Sequence, residues 1–115
     1  QQLGALLAVS LPSLGTMSRG DLVCCVQGLG QLRYVPPAPW LAAFYARALD
    51  APGRFGASGF GMLIWGLARL AVSPDPAWLH LLLDRSVTPQ QLAQLSPQHL
   101  ANLLCGFVRL GLQSR

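Results

Sequence analysis

Four aspartates, two histidines, three cysteines and eight arginines carry nearly all the ionisable chemistry of this chain, which has no lysine and no glutamate. Acid–base catalysis by carboxylates needs two of them held around one reacting group. Asp21 and Asp75 stand where helix caps are expected, and Asp50 and Asp84 occupy unrelated positions, so no such pair is indicated. His80 and His99 lie in different segments, and adjacent Cys24 and Cys25 lack the gaps of about two to four residues typical of zinc ligands. With Cys105 the cysteines are odd in number and fall within expected helices, which reads as buried thiols in a reducing compartment. Neither a catalytic centre nor a metal or cofactor site is expected. Binding is the chemistry left to look for.

Arginine suits anionic partners because its planar fork can bond two oxygens at once. A coding bias toward Ala, Arg, Gly, Leu and Pro accounts for the missing lysine, and the net charge of +4 permits a polyanionic partner without requiring one. At about 100° per residue, Gly20, Cys24, Gln27 and Gln31 form a stripe opposite the apolar face of one expected helix. Ser58, Met62, Trp65 and Arg69, then Gln98, Asn102, Cys105 and Arg109, hold the same places in two later helices. Arg69 and Arg109 have two roles open to them, phosphate contact or a solvated cation near a helix C-terminus. Gln98 and Asn102 have the donors and acceptors to read a base edge, though they would also serve as ordinary surface amides. Trp65 either stacks on a base or packs against a neighbouring unit. Arg47 and Arg85 read as helix-end charge compensation, and Trp40 and Trp78 as packing against proline turns.

The elements that position these residues repeat. Leu22, Cys25, Val26, Leu29 and Leu32 mark one helical face; Phe60, Leu63, Ile64, Leu67 and Leu70 repeat it, as do Leu100, Leu103, Leu104, Phe107 and Leu110. A glycine recurs within each phrase, at Gly28, Gly66 and Gly106. Glycine inside a helix costs about 1 kcal/mol relative to alanine, so a close neighbour is expected at all three. The steps from Leu3 to Leu41 to Leu79 and from Gly28 to Gly66 are each 38 residues. From Gly66 to Gly106 the step is 40, which places two extra residues in the connection from Val87 to Leu95.

Ser18 with Asp21 predicts a capping box and a helix running to about Gln31. A second helix follows Pro36-Pro37, with Pro39 in its first turn, and reaches about Leu49. The third spans about Ala57 to Leu70, the fourth starts at Pro76 behind an Asp75 cap, and the last starts at Ser96-Pro97. The expected fold is all-α, a right-handed α-solenoid of tandem antiparallel helix pairs with a 38-residue period. One array is expected over 1–115: the end of a truncated repeat (1–17), repeats at 18–55 and 56–95, and the first helix of a truncated repeat (96–115). The chain is 52% hydrophobic and 10% charged, which points to an assembly or a longer parent chain. Flanking repeats of that parent are expected to cover the apolar surface at both ends. No apolar run approaches the roughly 18 residues of a membrane span, so none is expected.

Period, helix phrase and turn together carry a resemblance. The phrases over 60–71 and 100–111, with the turns Pro36-Pro37-Ala38-Pro39-Trp40 and Pro74-Asp75-Pro76-Ala77-Trp78, make this sequence similar to the octotricopeptide repeat family. It departs from the family's Glu-Trp turn at Pro39 and Ala77. The resemblance implies an RNA-binding solenoid of a kind abundant in green algae, working in chloroplasts or mitochondria on transcript stability, processing or translation. Some such proteins hold ribosomal RNA in organellar ribosomes. The partner implied is single-stranded or ribosomal RNA, and the stripe then supplies candidate RNA-binding residues: Gln27, Gln31, Ser58, Met62, Trp65, Arg69, Gln98, Asn102 and Arg109. The alternative is a protein–protein scaffold within a larger organellar assembly, such as a mitochondrial ribosome, which the low charge and apolar content also suit.

Overall fold

A computed structural model describes residues 2–53, 55–72 and 74–110. The described residues are all-helical: α1 (Gln2–Ser10), a 3-10 turn (Leu11–Thr16), α2 (Arg19–Leu32), α3 (Ala38–Asp50), α4 (Gly56–Leu70), α5 (Pro76–Ser86), α6 (Pro89–Ala93) and α7 (Pro97–Arg109). Gln1 and Gly111, the last residue of the third repeated phrase, lie outside them.

The helices begin where local chemistry satisfies their first free amides. The Ser18 hydroxyl accepts from the Asp21 N–H while the Asp21 carboxylate accepts from the Ser18 N–H, each at 3.1 Å. Asp75 caps α5 through the Ala77 amide, and Ser96 caps α7 through that of His99. The short α6 is an addition to the expected elements. Its start is a second reciprocal box, Thr88 with Gln91, followed by Pro89. It occupies the connection in which the two extra residues fall.

α2 and α4 end alike, on Arg33 (φ 53°) and Ala71 (φ 59°) in the left-handed region. A side chain there costs about 1–2 kcal/mol, which glycine avoids. Ala71→Gly is therefore expected to stabilise the chain by roughly 1 kcal/mol, measured as a higher urea midpoint with an unchanged slope.

Packing follows the repeated phrases. α4 lies between α2 and α7, and α3 contacts α5. All five apolar-face residues of α4 are buried. The outer helices depart from the expected pattern: Leu32 on α2 is 64% exposed, and on α7 Leu100 and Leu104 are 40% and 66% exposed. α4 is covered on both sides, whereas α2 and α7 each have, among the described residues, one such repeated helix beside them.

The recurring glycines divide the same way. A Cβ on Gly66 would sit 2.2 Å from Val26 Cγ1 and 3.0 Å from the Val26 carbonyl oxygen, and one on Gly106 would sit 2.3 Å from Ile64 Cγ2. Val26 and Ile64 hold equivalent places, so each helix pushes a β-branched residue against the glycine of the next. Gly30 completes the first contact, since its Cβ would meet the Gly66 carbonyl oxygen at 3.0 Å. Gly28 corrects the expectation, with nothing within 4 Å of an added Cβ.

The tryptophans do more than pack on turns. Trp40 Nε1 donates to Ser10 Oγ at 3.0 Å, and Trp78 Nε1 donates to the Tyr45 carbonyl at 2.9 Å, each hooking a helix onto an earlier segment. Trp40 also stacks on Phe44 with centroids 5.7 Å apart, and Trp78 meets Tyr45 at 4.7 Å. Burial pushes the Tyr45 phenol above its ordinary pKa.

Candidate nucleic-acid interface

Two cavities open along α4, and they share Ser58 and Met62 as a rim. The smaller, about 200 Å³, lies between α4 and α7, where Trp65, His99 and Asn102 join those two residues. Its apolar wall is completed by Leu95 and Leu103. Arg109, about two helical turns beyond Asn102, reaches back across the contact and puts its guanidinium carbon 4.7 Å from the Trp65 ring centroid. Such a cation–π pair holds the indole in place and keeps a positive charge beside it. The site thus gathers an aromatic surface, an amide and an imidazole around the cavity, with a cation held against the aromatic ring.

His99 was not among the sequence candidates. It is set by the cap of α7: Ser96 Oγ accepts from the His99 amide at 3.2 Å and lies 3.1 Å from Nδ1. The cap-and-proline motif gave its helix, but not the cavity that it faces.

Five of the nine sequence-predicted candidates converge. Ser58, Met62, Trp65, Asn102 and Arg109 meet at the smaller cavity or on its tryptophan. Gln27 is committed elsewhere, its side-chain nitrogen donating to the Met62 carbonyl across the α2–α4 contact. Arg69 packs its stem beside Gly30, where an added Cβ would lie 3.3 Å from Arg69 Cβ. Gln31 and Gln98 are exposed and line neither cavity.

The larger cavity, about 830 Å³, lies on the other side of Met62 and includes Arg19, Cys24 and Arg47. Arg47 stands in the last turn of α3, as helix-end compensation expects, and its Nε also donates to the Met17 carbonyl at 2.9 Å. Arg85 meets the end of α3, donating from Nη1 to the Leu49 carbonyl at 3.2 Å.

The cysteines also depart from the expectation of burial. Cys24 and Cys105 are exposed, and Cys25 is half-buried with its Sγ 3.9 Å from Met17 Sδ. Desolvation, followed by the negative charge of Asp21 and by Cys24, raises the Cys25 pKa, leaving less of the thiolate that reacts. Brief iodoacetamide treatment at mildly alkaline pH, read by peptide mass spectrometry, is expected to label Cys24 and Cys105 well before Cys25. Equal labelling of all three would contradict that placement.

Among the described residues no three His, Cys, Asp or Glu side chains gather as a metal site would require, and no helix is long and apolar enough to cross a membrane. The comparison with curated proteins gives no match, and neither does that with solved structures. The family model described as the Tbc2 translation factor, N-terminal domain, matches residues 2–112. It takes in every helix and both cavities, and the chain belongs to that family.

Proposed function

We propose that this chain is an RNA-binding helical-repeat module that acts in organellar gene expression, in a chloroplast or mitochondrion, by binding without catalysis. The observation that carries this reading is the small cavity between α4 and α7. There, side chains from two neighbouring repeated helices, among them the equivalently placed Met62 and Asn102 and the Trp65 ring, surround a space that suits an unstacked base. Sequence-specific RNA recognition favours such bases, held by aromatic stacking and by bonds to their edges. Membership of a family described by a translation factor supports a role in translation, and the octotricopeptide-like period and turns support RNA as the partner.

The architecture in this reading is a right-handed α-solenoid of antiparallel helix pairs. The serial packing of α2, α4 and α7, the α3–α5 contact, and an extent of 44 Å against 27 and 23 Å support it. Further units would stack by the same rule. Leu104 stands in the place of Val26 and Ile64 and is 66% exposed, while Gly28 has nothing within 4 Å of an added Cβ. One is a projecting side chain that suits a glycine of a following helix; the other is a glycine that suits the side chain of a preceding one.

The test is equilibrium binding of fluorescein-labelled single-stranded RNA by the full-length protein, read by anisotropy. Saturable binding that weakens with salt is expected. No binding to a random 12-nucleotide pool or to organellar RNA would remove the reading. A second reading, a protein scaffold, draws on the exposed Leu100, Leu104 and Val108 along one side of α7. Recovery of a stoichiometric protein partner without RNA would favour it.

A further inference from the structure

The larger cavity contains a pair of guanidiniums that lies outside the variable stripe. Arg19, at the start of α2, donates from Nε to the Pro52 carbonyl at 2.7 Å, and Arg47, on α3, donates from Nε to the Met17 carbonyl at 2.9 Å. Each bond fixes the plane of its guanidinium through Nε, leaving the Nη groups, which supply the two-toothed grip on phosphate oxygens. Gly53 makes room for the first of them. Its φ is +84°, and an added Cβ would lie 2.6 Å from Arg19 Nη2 and 2.8 Å from Cζ, so the guanidinium sits directly against the glycine.

Both arginines line the one cavity, and among the described residues no aspartate or glutamate lines it. Two anchored positive charges therefore face a space whose described walls hold no acidic side chain. We propose that this cavity binds a phosphodiester of the RNA strand, with Arg19 and Arg47 as the two ligands. The assignment rests on the RNA-binding reading above and adds a phosphate site to it. Ser58 and Met62 belong to both cavities. A strand with one base beside Trp65 can thus cross that rim and bring backbone phosphate to the arginines without leaving the groove.

The experiment measures affinity of the full-length protein for a fluorescein-labelled 12-nucleotide random RNA pool across a series of KCl concentrations. Each phosphate contact on a single strand contributes about 0.7 to the slope of log K against log salt. Arg19→Gln is expected to shrink the slope by about 0.7, and Arg19→Gln with Arg47→Gln by about 1.4. Arg47→Lys, which keeps the charge but loses the fork, should keep the slope and weaken binding. Arg33→Gln, which removes a charge lining neither cavity, should leave the slope alone, and Trp65→Ala should weaken binding at an unchanged slope. Thermal unfolding of each variant checks that it is folded, and Arg19→Gln with Arg47→Lys gives a readable pair should the double glutamine variant not fold.

A folded Arg19→Gln variant with the wild-type slope would overturn the phosphate site while leaving RNA binding intact. Failure of the wild-type protein to bind the pool would overturn the RNA reading itself. A separate titration with inorganic phosphate at constant ionic strength distinguishes the sources. Thermal stabilisation by phosphate that Arg19→Gln abolishes, with no change in RNA slope, would assign the cavity to a free anion and overturn the phosphodiester proposal.

Discussion

Gly28→Ala and Gly66→Ala, substitutions at the same place in two repeated helices, are expected to move stability in opposite directions. Alanine favours a helix over glycine by about 1 kcal/mol, and at Gly28 nothing within 4 Å opposes the added carbon. Gly28→Ala should therefore gain roughly 1 kcal/mol. At Gly66 the same carbon would lie 2.2 Å from Val26 Cγ1, and beyond that methyl stand the Val26 carbonyl oxygen and carbon at 3.0 and 3.1 Å. A rotamer change can move the methyl, but relieving the backbone contact requires α2 to shift from α4. Overpacking of this kind costs about 1–3 kcal/mol, occasionally more, so a net loss is expected despite the gain in helix propensity. For the same reason Val26→Ala should rescue Gly66→Ala only in part. At Gly106 the close atoms belong to the Ile64 side chain alone, at 2.3 Å for Cγ2 and 3.5 Å for Cβ. Urea midpoints of the chain described here test the set. Destabilisation at both Gly28 and Gly66 would contradict the open face at Gly28.

Trp65→Ala is expected to weaken RNA binding by roughly five- to 150-fold, corresponding to the 1–3 kcal/mol of one base–aromatic stack. The half-buried ring lines the smaller cavity and carries Arg109 above it, so its loss removes both the stacking surface and the group that positions the guanidinium. Trp78→Ala, by contrast, should act on stability. That ring is 9% exposed, donates to the Tyr45 carbonyl and lines neither cavity. Truncating a buried tryptophan costs about 3–5 kcal/mol. A Trp65→Ala protein that melted like wild type and bound RNA with unchanged affinity would exclude stacking at this ring.

The helix starts were legible because capping is local: Ser18 with Asp21, Asp75 and Ser96 each act on amides two or three residues away. α6 carried the same kind of signal in Thr88-Pro89-Gln90-Gln91, which the reading of an insertion between units passed over. The candidate site was legible only in part, for a different reason. Helical periodicity gives the face of an isolated helix, but not which portions of that face a neighbour covers. So Trp65 and Asn102 converge, while Gln27 spends its amide on the Met62 carbonyl. The anchoring of Arg19 and Arg47 depends on carbonyls 33 and 30 residues away, and spacing within a helix carries no trace of such contacts.

The central claim, that RNA lies in the groove along α4, is tested most directly by ultraviolet crosslinking of RNA to the full-length protein, with tryptic peptides carrying nucleotide adducts identified by mass spectrometry. Because the chain has no lysine, tryptic cleavage after Arg54, Arg69, Arg85 and Arg109 separates the groove from the second helices. Adducts on peptides 55–69 and 86–109, reduced in Trp65→Ala, are the predicted result. Adducts confined to 34–47 and 70–85, or no adducts from RNA bound at saturation, would contradict it.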